Sequence, residues 1–348
     1  MSDTDTTQTL DIEAVVNDVL ATIDKERERE IIARRFGLFD RKETLEQIGE
    51  LLGITRERVR QLEKSVVSRL KAEAEQGRLT QMDQVEQRFS DLIRSVGGAA
   101  RTMDISAELT EENNKLDQAR IAFLAQLCPT LAVVDDSDNY FHAIGLRELH
   151  DEKAIRAQVN NIVDTIKKIG KPTTIDVIAK QATHEDRDHA RALASVSKQL
   201  ATLNGLWGLV RWPMVNPKNI RDKIYVILKN NGKHMHFNEI AKAIKNSSFK
   251  RKNVTTQAIH NELIKDGRFV LIGRGIYALK EWGYKKGTVA DIISQVLREA
   301  GEPLHRDEIV KRVLKSRYVK ETTILLNLQG KPQFKRVAKA TYTLVEEQ

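Results

Sequence analysis

Apolar residues recur at three- and four-residue steps along most of the chain, and the runs break at turns that carry glycine. Leu45, Ile48, Leu51 and Leu52 make one stripe, and Val59, Leu62, Val66 and Leu70 make the next. Thr44 precedes Gln47 at capping-box spacing. Gly53 suits a tight turn that needs φ > 0, and Thr55 can cap the helix that follows. The pattern therefore predicts two helices joined by a turn over 44–71, both stripes facing inward. Arg56, Glu57, Arg60, Gln61 and Lys64 then share the opposite, polar face of the second helix. Mixed charge on a helix usually marks a solvated, salt-bridged surface. Here Arg, Gln and Glu gather near the start of the second helix of a helix-turn-helix, where such side chains read base edges in the major groove of duplex DNA.

After residue 80 a second pattern repeats four times: helix, glycine-bearing turn, short helix, third helix, hairpin. That is the order of a winged helix. One copy is marked by Ile220 to Leu228, Gly232, Phe237 to Ile244, a third helix within Val254 to Asp266 with Ala258, Ile259, Leu263 and Ile264 inward, and Arg268 to Leu279. The last copy is marked by Ile292 to Leu297, Gly301, Asp307 to Val310, Thr322 to Leu328 and two strands after Phe334. Two earlier copies are more degraded. The first uses Phe89 to Val96, Gly97-Gly98, Ile105 to Leu109, Leu116 to Leu127, and strands at Leu131 to Val134 and Tyr140 to Ile144. The second uses Ile155 to Ile169, Gly170, Ile175 to Ala179, a helix over Ala190 to Leu203, and Leu206 to Trp212. The marker glycines at 98, 170, 232 and 301 are unevenly spaced, which suits linked domains better than a stacked solenoid.

Two stretches resemble known families. Arg27 to Ile32, Arg34 to Leu38, Thr44 to Gly49 and Thr55 to Glu63 are similar to region 4 of the sigma-70 family of bacterial RNA polymerase sigma factors. The resemblance implies that the second helix reads a −35 promoter element. It implies base contacts for Arg56, Glu57 and Gln61 and a phosphate contact for Arg60. It also implies docking of the first helices on the flap of the polymerase β subunit. The 24 residues before Lys25 are too few for the segment that melts the −10 element in that family, and no aromatic-rich melting helix follows. A detached −35 reader is expected rather than a complete sigma factor.

Gly232 to Ala241 and Phe269 to Leu279, with Gly273-Arg274-Gly275, resemble HARE-HTH, the winged helix shared with the δ subunit of bacterial RNA polymerase. The last copy is similar but lacks the Gly-Arg-Gly hairpin. Lys250, Arg251 and Lys252 precede the third helix, and Arg274 stands at the wing tip. A winged helix can set these against phosphates or the minor groove; a solvated loop accounts for them equally well.

The expected architecture is mainly α with small β-hairpins: a sigma region 4-like helix-turn-helix followed by up to four tandem winged-helix domains. Its segments are 1–24 (acidic, with a leading helix), 25–80, 81–150, 151–217, 218–284 and 285–348. Charge follows this division. The chain carries a net +8, yet 218–348 holds 27 basic against 13 acidic residues and 81–150 holds 6 against 12. The basic final third is the footprint of nucleic-acid binding. The first copy, with Asp135-Asp136-Ser137-Asp138 on its wing, suits protein contact instead.

The remaining chemistry is sparse. No run approaches the ~20 apolar residues of a membrane span, and the polar, acidic N-terminus is unlike a secretory signal. A cytoplasmic, nucleoid-associated location is expected. Cys128 is the sole cysteine, so no internal disulfide can form, and it reads as a core residue at a helix end. His234 and His236 lack further ligands for zinc. His184 and His189 lie on a polar segment and read as surface residues. Asp135, Asp136 and Asp138 lack the Gly and distal Glu of an EF-hand loop. No nucleotide-binding loop is present. Neither enzyme activity nor a cofactor is expected. The expected function is a bacterial transcription regulator that binds double-stranded DNA and RNA polymerase. The alternatives are a polymerase-associated interaction protein and an architectural or defence-linked DNA binder independent of polymerase.

Overall fold

Helix ends in this chain are set by groups that satisfy loose backbone donors and acceptors. The computed structural model describes residues 10–184, 186–251 and 253–345. It opens with α1 (Ile12–Ala21), α2 (Glu26–Phe36), α3 (Leu45–Leu52) and α4 (Arg56–Glu75). Asp11 caps α1 by accepting from the Ala14 N–H. Gly37 ends α2 with a left-handed φ of 71°. Thr44 and Gln47 form both halves of the capping box on α3, and Thr55 accepts from the Arg58 N–H at the start of α4.

Four modules follow, each in the order helix, short strand, helix, helix, hairpin. The first comprises α5 (Met82–Ser95), β1 (Ala99–Arg101), α6 (Thr102–Leu109), α7 (Lys115–Leu127), β2 (Leu131–Val134) and β3 (Ala143–Leu146). The second comprises α8 (Glu152–Ile169), β4 (Thr173–Thr174), α9 (Ile175–Gln181), α10 (Arg187–Val196), β5 (Leu200–Leu203) and β6 (Leu206–Leu209). The third comprises α11 (Ile220–Asn231), β7 (Met235–His236), α12 (Phe237–Lys245), α13 (Thr256–Lys265), β8 (Phe269–Gly273) and β9 (Ile276–Leu279). The fourth comprises α14 (Val289–Ala300), β10 (Leu304–His305), α15 (Arg306–Ser316), α16 (Glu321–Gly330), β11 (Phe334–Ala338) and β12 (Thr341–Leu344). In every module the short strand pairs with the last strand of the hairpin, giving small antiparallel sheets of order β1-β3-β2, β4-β6-β5, β7-β9-β8 and β10-β12-β11. The fold is thus mainly helical with small three-stranded sheets.

The chain divides into two compact units, Met1–Val210 and Arg211–Gln348. In the first, a single core joins the helix-turn-helix to the first module. Val15, Val16 and Val19 of α1 meet Ile32, Val66 and Leu70, and with them Phe89, Ile121, Phe123 and Leu124. α7 packs against α1, α2 and α4. Its Arg120 is buried, donates to the Leu38 carbonyl at 3.1 Å and pairs with Glu13 at 2.8 Å. Cys128, at the end of α7, is a buried core thiol. α10 packs on β1. Gly97 lies so near it that a Cβ would stand 2.4 Å from the Asp188 carbonyl oxygen. The third helices α7 and α10 therefore both spend surface on the module before them. In the second unit α13 packs on α11 and α12, and α16 on α14 and α15.

Several local expectations shift. Leu51 and Ile264 are exposed rather than inward, because each helix needs only part of its apolar stripe to fill a small core. The helix expected over Ala190 to Leu203 stops at Val196, and Leu200–Leu203 is a strand paired with β6. Asn204-Gly205 supplies the two-residue turn, both with positive φ, the conformation that hairpin twist favours. The last strand of the first module is Ala143–Leu146, beginning beyond Tyr140, which instead bridges Ser197. His184 and His189 are half-buried and cluster with His150 rather than standing as separate surface residues.

Candidate nucleic-acid interface

The geometry of the helix-turn-helix begins with a missing side chain. A Cβ on Gly49 would stand 2.7 Å from the Ile54 carbonyl oxygen, so α3 and the turn close over bare backbone. The Ile54 N–H donates to the Gly49 carbonyl at 2.9 Å. Below the turn Ile31, Ile48 and Val59 are fully buried, with Leu45, Leu52, Ile54 and Leu62 packed around them. These contacts fix the rotation of α4 about its axis and thus the direction of its polar face.

That face carries Arg56, Glu57, Arg60, Gln61 and Lys64, all exposed. Arg56 reaches across to Glu46 of α3 at 2.6 Å. Arg60 grips both carboxylate oxygens of Glu57, at 2.9 Å through Nε and 2.6 Å through a terminal nitrogen. Beside Arg60, the Glu57 carboxyl is held below the usual carboxylate range. Gln61 donates to the same carboxylate at 3.5 Å. Ion pairs this exposed contribute little to stability, so they order the side chains without locking them. Arg56, Glu57 and Gln61 are thereby presented as charged and amide groups able to bond base edges.

The sequence pattern does not single out Arg58, Ser65, Ser68 or Lys71. Arg58 is exposed and donates to Gln61 at 3.4 Å. Lys64, Ser68 and Lys71 line a shallow groove with Arg60, continuing the cationic face down the helix. Their spacing of four and three residues is helical, and with the 20-residue length of α4 it could have found them.

In the second unit Lys250 and Arg251 are exposed, as is Arg274 on the β8–β9 turn. Lys252 lies outside the described residues. Arg251 has a left-handed backbone, φ 54°. Its carbonyl accepts from Lys223 Nζ at 2.8 Å. Lys223 is buried on α11, and burial, then the nearby Arg251, pull its pKa down. An ammonium held under the loop thus fixes the basic segment from below, a role that sequence does not reveal. Gly275 packs against the His236 ring, which brings the β8–β9 turn to the start of α12. In the fourth module Leu314 of α15 and Leu326 of α16 are exposed.

On the first module Asp135, Asp136 and Asp138 are exposed. Lys198 pairs with Asp136 at 2.9 Å, and Gln199 donates to Asn139 at 3.1 Å. That acidic hairpin loop therefore contacts the second module. Among the described residues, no three His, Cys, Asp or Glu side chains enclose a metal position, and no helix is long and apolar enough to cross a membrane.

Comparison with known proteins reaches one part of the chain. The family Sigma-70, region 4 matches residues 25–72. RNA polymerase sigma factor RpoD of Helicobacter pylori is 45% identical over 64 residues, 18% of this chain and 9% of the relative. RNA polymerase sigma factor sigB of Arabidopsis thaliana is 46% identical over 56 residues, 16% of this chain and 10% of the relative. RNA polymerase sigma factor SigA of Bacillus sp is 43% identical over 65 residues, 18% of this chain and 17% of the relative. The chain thus spans less than a fifth of the length of these relatives. The matched residues 25–72 hold α2, α3 and most of α4, and they are similar to sigma-70 region 4.

Proposed function

We propose that this protein is a sequence-specific, DNA-binding transcription regulator that reads a −35-like element of duplex DNA through α4. The observation that carries this reading is the exposed cluster Arg56, Glu57, Arg60 and Gln61 on the first two turns of α4, within the segment that matches region 4. Arg56 and Gln61 donate to purine edges, Glu57 accepts from a cytosine amine, and Arg60, Lys64 and Lys71 hold phosphates. The basic segment Lys250–Lys252 and Arg274 add phosphate or minor-groove contacts, as the HARE-HTH resemblance and the positive second unit suggest.

Bacterial RNA polymerase is the proposed protein partner. The apolar faces of α1 and α2 are already packed on α7, so this contact uses what α2 leaves exposed, including Glu26 and Arg27. A second reading, a polymerase-associated interaction protein, is favoured by the exposed Leu314 and Leu326 of the fourth module. Genome-wide binding of the wild type beside an Arg56→Ala, Gln61→Ala variant distinguishes the two. Peaks upstream of transcription starts that share a motif and vanish in the variant support the promoter reader. Binding unchanged by the variant favours the interaction protein.

A further inference from the structure

Three imidazoles gather where the first and second modules meet. His150 lies just before α8, His184 just after α9, and His189 in the first turn of α10. The His150 and His189 rings are 5.2 Å apart between centroids, and their Nε2 atoms face each other at 3.2 Å. The His184 ring lies 6.2 Å from that of His189. His150 and His189 are half-buried, so solvent reaches them.

The protonation of one ring is fixed by its neighbour. His189 Nδ1 is 2.6 Å from the Gly97 carbonyl oxygen, which can only accept. Nδ1 therefore carries the hydrogen, and Nε2 of the neutral ring is a bare lone pair. A carbonyl that orients a ring in this way is the usual outer partner of a metal-bound histidine. His150 Nε2 stands 3.2 Å from it. Two imidazole nitrogens about 2.0–2.1 Å from one zinc ion stand roughly 3.3 Å apart at a near-tetrahedral angle, close to the spacing here. A hydrogen bond from His150 to His189 would satisfy that pair alone. His184 Nε2, in the same cluster, is buried without a hydrogen-bond partner.

We propose that His150 and His189 chelate a divalent transition-metal ion at the junction of the first two modules, with His184 at its side. The two rings form an open chelate whose other positions belong to water. Imidazole donors select zinc, nickel, copper or cobalt over magnesium or calcium. The bound ion would tie α10 to the segment before α8, beside the contact that already joins α10 to β1.

The test uses untagged full-length protein, titrated with Co(II) by absorption and with Zn(II) by calorimetry. One ion per chain is expected, at micromolar or tighter dissociation constant, with no response to Mg(II). His150→Ala should weaken binding at least tenfold while circular dichroism stays unchanged. His189→Ala should do the same, but it also removes the hydrogen bond to Gly97, so His150→Ala is the deciding variant. The double variant His234→Ala, His236→Ala should bind as the wild type does. Absence of binding below millimolar metal, or binding unaltered by His150→Ala, overturns the proposal.

Discussion

The rings of Phe36 and Phe123 meet at a centroid distance of 5.0 Å and a tilt of 58°. Phe36 ends α2 of the helix-turn-helix and Phe123 lies on α7 of the next module, so this contact couples the helix-turn-helix to the domain that follows it. Phe123 is fully buried in the core that also holds Val16, Val66 and Leu70. Truncating a buried Phe costs about 3–5 kcal/mol. Phe123→Ala is expected to destabilise the helix-turn-helix and the first module together, as one cooperative loss in urea unfolding followed by circular dichroism. A helix-turn-helix that keeps its stability in this variant would show that the shared core is not what supports it.

Glycine at 97 answers a packing constraint as well as a conformational one. Gly53 and Gly97 both have positive φ, but Gly53 faces open space, whereas a Cβ on Gly97 meets the Asp188 carbonyl. Gly53→Ala should cost about 1–2 kcal/mol, the penalty of a left-handed L-residue. Gly97→Ala should cost more, since β1 and α10 must also separate. Thermal unfolding of the two variants compares them directly, and equal shifts would mean that the junction yields freely.

Acid should weaken the first unit. Burial, and then nearby Lys42, push the pKa of His142 below its ordinary 6.5. Burial and then His189 do the same to His150, and burial and the two neighbouring histidines do so to His184. The unfolded chain takes up protons near pH 6.5 while the folded chain resists them. Stability is therefore complete above pH 6.5 and is lost as the pH falls from there through the lowered folded pKa values. The urea midpoint, measured with a chelator present, should be lower at pH 5.5 than at pH 7.5. A His142→Asn variant should show a shallower decline.

Phosphate and base contacts should separate in salt dependence. Each phosphate contact contributes about 0.9 to the slope of log affinity against log salt. A Lys64→Ala, Lys71→Ala variant is expected to lower that slope by about 2 while leaving sequence preference in place. Fluorescence anisotropy on matched and scrambled duplexes across a salt series measures both quantities.

The local grammar of the helix-turn-helix could be read directly: the Thr44–Gln47 box, the Gly53 turn and the Thr55 cap all use near neighbours in sequence. The order of elements in the four modules was legible for the same reason. What sequence hides is contact at a distance. Arg120 reaches Leu38 across 82 positions, and His150 meets His189 across 39. No periodicity announces either. Lys223 looks like one more cation of a basic domain until the fold buries it beneath Arg251. The strand at Leu200–Leu203 was missed although Asn204-Gly205 marks it, because an alanine-rich run before it carries a helical period that masks the turn.

The most direct test of the central claim is selection of duplexes from a random pool by the full-length protein. The wild type should enrich one short motif, and each single base-pair change in it should cost about 1–3 kcal/mol at positions read by Arg56, Glu57 or Gln61. The Arg56→Ala, Gln61→Ala variant, folded by circular dichroism, should lose that motif while still binding DNA at low salt. Failure of the wild type to enrich any motif, or enrichment of the same motif by the variant, would contradict sequence reading by α4.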